Sequence, residues 1–142
     1  MDYSEVEKQR DVKIAKDMVE QRGGPEDCEP FYDDDLRMMR FEFDPQRDYS
    51  WVYPDGSKAP QHPEELFDAV TDDRMPMYLE VYRCHRFDDP MYGLFNADIM
   101  VNDDFVEMAN PDELKDLARA MISVADRLDK MNIEAMKHWR KE

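Results

Sequence analysis

The sequence predicts an α+β fold, a small antiparallel sheet of about four strands covered by an N-terminal helix and a long C-terminal helix. Three observations carry this expectation. Apolar residues recur at helical spacing near both ends of the chain, over residues 4–22 and 111–139. Between them, over residues 36–101, short aromatic and β-branched runs alternate with charged residues in the period-two manner of strands. Clusters of Pro, Asp and Gly separate those runs. At 142 residues the chain has the size of one domain, 1–142, large enough to bury a core without staples.

The first helix opens with Ser4, followed three residues later by Glu7 in a capping-box pattern. Val6, Ile14, Ala15, Met18 and Val19 lie on or near one stripe, and Gly23-Gly24-Pro25 stops the helix. Residues 25–35, PEDCEPFYDDD, read as a polar loop bounded by proline. Residues 36–43, LRMMRFEF, read as a strand in which Met39, Phe41 and Phe43 alternate with Arg40 and Glu42; the Met38-Met39 pair marks a bulge or change of phase. A second short strand is YSWVY, residues 49–53, followed by the turn Pro54-Asp55-Gly56. PEELFDAV, residues 63–70, suits a short helix with proline in its first position and glutamates in its first turn. Residues 77–87 and 94–101 form the strands of a hairpin joined by DDPMYG.

The last helix is capped by Asn110, opened by Pro111 and supported by Glu113. Leu114, Leu117, Met121, Val124, Leu128, Met131 and Ala135 follow at alternating steps of three and four, and Ala118, Ile122 and Ala125 widen the stripe. Such a helix is ~44 Å long, more than a four-stranded sheet is wide. Its stripe is either one face of an ordinary core helix or a heptad-like seam in which Leu117, Met121, Val124, Leu128 and Met131 pair with a second copy.

The formal charge of −16 is confined to the middle of the chain. Residues 23–113 hold 24 acidic and 7 basic side chains, a net of −17, whereas the segments before and after carry −1 and +2. Nucleic acids and anionic membrane surfaces are excluded as direct partners, because each contact would add repulsion; a basic macromolecule is favoured. The acids gather at the expected loops and strand ends: Asp33, Asp34, Asp35, Glu42, Asp44, Asp48, Asp72, Asp73, Asp88, Asp89, Asp103 and Asp104. These twelve are the candidate partner-binding residues. The plainer account is that Asp suits turns and that acidic surfaces keep proteins soluble.

No catalytic or metal motif emerges. The aspartate triplet fails the spacing of a calcium loop, since Arg37, Met38 and Met39 occupy ligand positions. Cys84 and His85, beside Asp88-Asp89, point to opposite faces of a strand and so cannot jointly hold zinc there. None of the four serines sits in a glycine-framed elbow, and four glycines leave no phosphate cradle. No metal and no cofactor are expected. Two cysteines, Cys28 and Cys84, fit reduced thiols; the N-terminal MDYSEVEKQRDVK lacks an apolar signal core, and no run is long enough to span a membrane. The expected location is the cytoplasm.

The reading that follows is a non-enzymatic, acidic macromolecule-binding protein, most concretely a DNA mimic. Duplex DNA offers about one negative charge per 1.7 Å of its axis, and proteins that bind it present rows of Lys and Arg. Asp outnumbers Glu 22 to 13, and the shorter side chain holds its charge closer to the backbone. In composition this character resembles that of phage-encoded anti-restriction and anti-CRISPR inhibitors, which implies a nucleic-acid-binding protein as partner and a phage or mobile-element setting. The rival reading is a regulatory or accessory module that homodimerises through the C-terminal helix. A third is a small hydrolase-type enzyme using Cys84 or a pair of carboxylates.

Overall fold

A computed structural model of the chain describes residues 3–60, 77–101 and 111–141. Among the described residues two helices bracket seven short strands, an α+β arrangement. Helix α1 spans Tyr3–Arg22 and begins one residue before the expected Ser4. The strands are β1 (Gly24–Pro25), β2 (Phe31–Asp33), β3 (Met38–Arg40), β4 (Ser50–Val52), β5 (Lys58–Pro60), β6 (Met77–Arg83) and β7 (Phe95–Val101), and helix α2 spans Pro111–Met136. The expected helix at residues 63–70 and the Asn110 cap lie outside the described residues.

The strands divide among three small antiparallel sheets, ordered β1-β4-β5, β2-β3 and β6-β7. Turn chemistry sets this division, because most of the strands are only two or three residues long before a turn or proline intervenes. Residues 31–33, expected in a loop, instead pair with β3: Phe31 lies opposite Arg40 and Asp33 opposite Met38. The strand expected over residues 36–43 therefore shortens to Met38–Arg40. At the apex, the Asp33 carboxylate accepts the backbone N–H groups of Asp35 (2.9 Å) and Leu36 (3.1 Å), and Arg37 takes a φ of 54°. The aspartate triplet thus builds a hairpin turn.

Beyond Arg83 the β6 ladder continues briefly, with Cys84 N–H donating to Leu94 O and Gly93 N–H to Cys84 O, both at 2.8 Å. Residues 86–94 then wind through successive turns, so the strand expected to reach residue 87 ends at Arg83. Helix α2 ends at Met136, and the chain continues through tight turns to Trp139. Arg140 N–H then donates to Gln21 O at 2.8 Å, joining the segment after α2 to the last turn of α1.

The helices cover different sheets. α1 lies against the β2-β3 hairpin, burying Ala15 completely and packing Val12, Met18 and Val19 on the core. Val6 and Ile14, which the spacing places near that stripe, are 42% and 41% exposed. α2 lies along β7, where Val124 joins Val81 and Phe95 in a second cluster flanked by Leu128 and Met131. The main core is aromatic: Phe41, Trp51, Tyr53, Phe87 and Tyr92 pack with Met39, Leu94 and Ala135. A buried aromatic of this kind typically costs ~3–5 kcal/mol to truncate.

Gly23 closes α1 with a φ of +90° and donates to Val19 O at 2.8 Å. A Cβ built there would stand 2.1 Å from the carbonyl oxygen of Val52 in the central strand. Gly56, at φ +87°, has open space around it. Gly56→Ala is therefore expected to cost only the left-handed strain, ~1–2 kcal/mol. Gly23→Ala should cost more than about 3 kcal/mol, at the large end of single substitutions. Urea denaturation of the two variants measures the difference; equal losses would contradict the close approach of α1 to β4.

Candidate functional site

Taken one by one, the expected acidic residues separate into two kinds. Asp33, Asp44 and Asp89 accept backbone N–H groups two or three residues ahead, at 2.8–3.1 Å from Leu36, Gln46 and Met91 among others, as does Asp55 of the expected turn from Ser57. Their carboxylates are pinned by the turns they stabilise. Asp33 also accepts the Arg40 guanidinium at 2.7 Å, and the backbone bond from Leu36 together with this arginine holds its carboxyl below the usual range. Asp88 pairs with Arg86 at 3.0 Å, and Asp34, 81% exposed, lies 3.6 Å from Lys8. Asp35, Glu42 and Asp48 are exposed. Asp72, Asp73, Asp103 and Asp104 lie outside the described residues.

The fold brings only some of these acids together. One groove joins Glu5, Glu7, Lys8, Asp11, Asp34 and Arg37, and a neighbouring one joins Arg10, Asp11, Arg37 and Asp88. The β2-β3 apex, the first half of α1 and Asp88 thus share one end of the molecule, with Lys8, Arg10 and Arg37 interspersed among the acids. Asp44 and Asp48 belong to the loop before β4, where Arg47 pairs with Asp27 at 3.0 Å.

Sequence reasoning missed another acidic pair. In the β6-β7 register Glu80 lies directly opposite Asp98, and both side chains are exposed. Val81 packs with the α2 cluster, and strand alternation turns Glu80 and Asp98 to the face away from that helix. No cation among the described residues pairs with either. Only the hairpin register reveals the pair, since the two residues are 18 positions apart.

Of the stripe expected to pair two copies, the described residues pack against the chain's own strands. Val124 is 2% exposed against Val81 and Phe95, Leu128 and Met131 pack on the same cluster, and Met121 is half-buried. The Leu117 side chain lies outside the described residues. Large apolar side chains exposed on α2 are instead Leu114, Ile122, Ile133 and Met136.

Between the β4-β5 hairpin, the start of β7 and the last turns of α2 lies a cleft of about 410 Å³. Tyr53, Ala59, Pro60, Phe95, Met131 and Ala135 give it apolar walls; Lys58, Arg83 and Lys130 add cationic groups, and His138 an imidazole ring. Arg83 is 2% exposed. Its Nη1 donates to Gly93 O at 2.8 Å and reaches the Tyr53 hydroxyl at 3.5 Å, while its Nε is buried without a partner. The guanidinium stands 4.2 Å from the Phe95 ring centre and 4.9 Å from that of Trp51. Burial lowers its pKa.

At one lip of the cleft, Ser57, Asp55 and His138 meet, although His138 is 83 residues from Asp55. Ser57 Oγ donates to Asp55 Oδ1 at 2.5 Å; His138 Nδ1 lies 2.6 Å from Asp55 Oδ2 and 3.1 Å from Ser57 Oγ. A nucleophilic relay needs the serine and the carboxylate on different ring nitrogens. Here both address Nδ1, so the trio acts as a clamp tying the β4-β5 turn to α2. The hydrogen bonds from Ser57 and His138 hold the Asp55 carboxyl down at about 2. The His138 ring also stacks on Tyr53 at 4.7 Å.

Cys84 and Cys28 are free thiols, and burial pushes both upward, away from the thiolate form that attacks substrates. Among the described residues no three His, Cys, Asp or Glu side chains gather as a metal site, and no helix is long and apolar enough to cross a membrane. Compared with family models, with curated proteins and with solved structures, the chain matches none.

His85 provides a pH-dependent test of the core beside this cleft. Its ring packs against Phe43, Trp51 and Phe41, and its Nε2 is buried without an acceptor. Burial, then the charge of Arg83, brings its pKa from 6.5 to about 4. The neutral ring is the folded form, so this stability is complete above the unfolded pKa and declines as pH falls through 6.5 towards 4. The expected loss between pH 7 and pH 5 is about 2 kcal/mol. Urea midpoints at the two pH values measure it, and His85→Phe should flatten the dependence. An unchanged slope in that variant would assign the effect to other groups.

Proposed function

We propose that this chain is a non-catalytic binding protein whose acidic surface engages a basic, nucleic-acid-binding partner in the manner of a DNA mimic. The observation that carries the reading is the Glu80–Asp98 pair, two exposed carboxylates placed directly opposite each other with no cation among the described residues. Like charges facing across a ladder destabilise a hairpin by ~0.2–1 kcal/mol. A cationic partner removes that repulsion on binding. The pinned carboxylates support the same reading, since a negative charge fixed by backbone hydrogen bonds loses little freedom when a lysine or arginine meets it.

The setting of an anti-restriction or anti-CRISPR inhibitor belongs to this proposal, as does action inside the cytoplasm. The twelve expected acidic residues are refined accordingly. Asp33 has its arginine already, and Asp88 and Asp34 have cations close by. Asp35, Glu42, Glu80 and Asp98, with the pinned Asp44 and Asp89, carry the argument.

The test is competition with a labelled DNA duplex for a sequence-independent DNA-binding protein, followed by fluorescence anisotropy. The dissociation constant of the chain for that protein, taken from the competition after allowing for the duplex's own weakening, should rise by about tenfold or more between 50 and 200 mM salt. Glu80→Gln with Asp98→Asn should weaken competition at low salt by several-fold while raising the stability of the fold, because the internal repulsion is gone. Salt-independent competition, or undiminished competition by the neutralised variant, would sink the proposal.

A further inference from the structure

We infer that the cleft over Arg83 is a binding site for a small organic anion, a carboxylate carried on a flat apolar body. Among the described residues Arg83 is the one buried charged side chain, and no carboxylate among them pairs with it. Its Nη1 is occupied by Gly93 O and the Tyr53 hydroxyl, whereas Nε is buried without a partner. A buried cation without a counter-ion costs several kcal/mol, which the Phe95, Trp51 and Tyr53 rings offset only in part. Guanidinium and carboxylate are complementary in shape, so an anion at the cleft end of Arg83 would balance a charge that the fold leaves unmatched.

The cleft around it has the character of a ligand site. Its volume of about 410 Å³ lies in the ~300–1,000 Å³ range of small-molecule pockets. Its apolar walls, Tyr53, Phe95, Pro60 and Met131 among them, suit a flat hydrocarbon body, and Lys130 adds a second positive charge beside Arg83. Glu134, the acid lining it, is already drawn to Lys137 at 3.0 Å. Lys58 is engaged by Glu26, which leaves Lys130 as the better second cation for a ligand. Asp55 and Glu26 stand at the rim and are already engaged by His138 and Lys58, so within the lining Arg83 and Lys130 are the cations left without a carboxylate among the described residues. The inference stands apart from the acidic surface, which lies on other residues.

The probes are naphthalene-2-carboxylate and its neutral analogue naphthalene-2-carboxamide, titrated into the full chain by calorimetry and by amide NMR. The carboxylate should bind at least tenfold more tightly than the carboxamide, with shifts centred on Tyr53, Phe95 and Met131. Lys130→Gln, on the exposed rim, should weaken the carboxylate several-fold and leave the carboxamide unchanged. Arg83→Met, provided its circular dichroism and melting are native, should abolish the discrimination; Lys130→Gln carries the test if it does not fold. Equal affinity for the two probes, no carboxylate binding, or shifts centred elsewhere would overturn the inference.

Discussion

Everything described depends on the burial of Trp51. It sits in the middle of β4, itself the central strand of its sheet, and none of its surface is exposed. Its indole N–H donates to Arg22 O at 3.0 Å, satisfying a carbonyl at the C-terminal end of α1. Its ring meets Tyr92 at 5.4 Å and His85 at 5.7 Å from the turns after β6, with the Arg83 guanidinium on another side. Gly93 lets the chain pass so close that a Cβ there would stand 3.3 Å from the indole. One side chain therefore ties the first helix, the central sheet and the β6-β7 connection, none of which is large enough to be stable alone.

Around that anchor the aspartates serve two purposes that composition cannot separate. Where an Asp precedes a tight turn, its carboxylate replaces missing backbone acceptors, as at Asp33, Asp44, Asp55 and Asp89. The residual excess lies on faces where nothing in the fold requires it. Glu80 opposite Asp98 is the clearest case, because local energetics oppose the arrangement and turn chemistry does not explain it.

The cationic cleft is the counterpart of this surface. Arg83 sits where β6 ends and the chain turns, surrounded by rings that favour a cation through their faces. His138, Asp55 and Ser57 hold the lip of the cleft by joining a turn near the middle of the chain to the end of α2. The same three residue types that build hydrolytic relays here serve as a mechanical tie, because both partners approach one ring nitrogen.

The sequence by itself determined both helices, the β6-β7 hairpin, the turn at Asp55-Gly56 and the α+β class. The helices and the turn rest on interactions within a few residues, and the two hairpin strands show themselves by period-two alternation, so periodicity and turn chemistry make them visible. It also located the charge in the middle segment. Only the tertiary structure decided that residues 31–33 form a strand, since that depends on Asp33 capping its own turn so that Phe31 meets Arg40. Tertiary packing likewise turned Val124 into the chain's own core, set Glu80 against Asp98, sealed Arg83 among aromatic rings and brought His138 to Asp55. The partners in these contacts are far apart along the chain or specified by register, and pairing across such distances is fixed by the packing of the whole core, not by any local pattern.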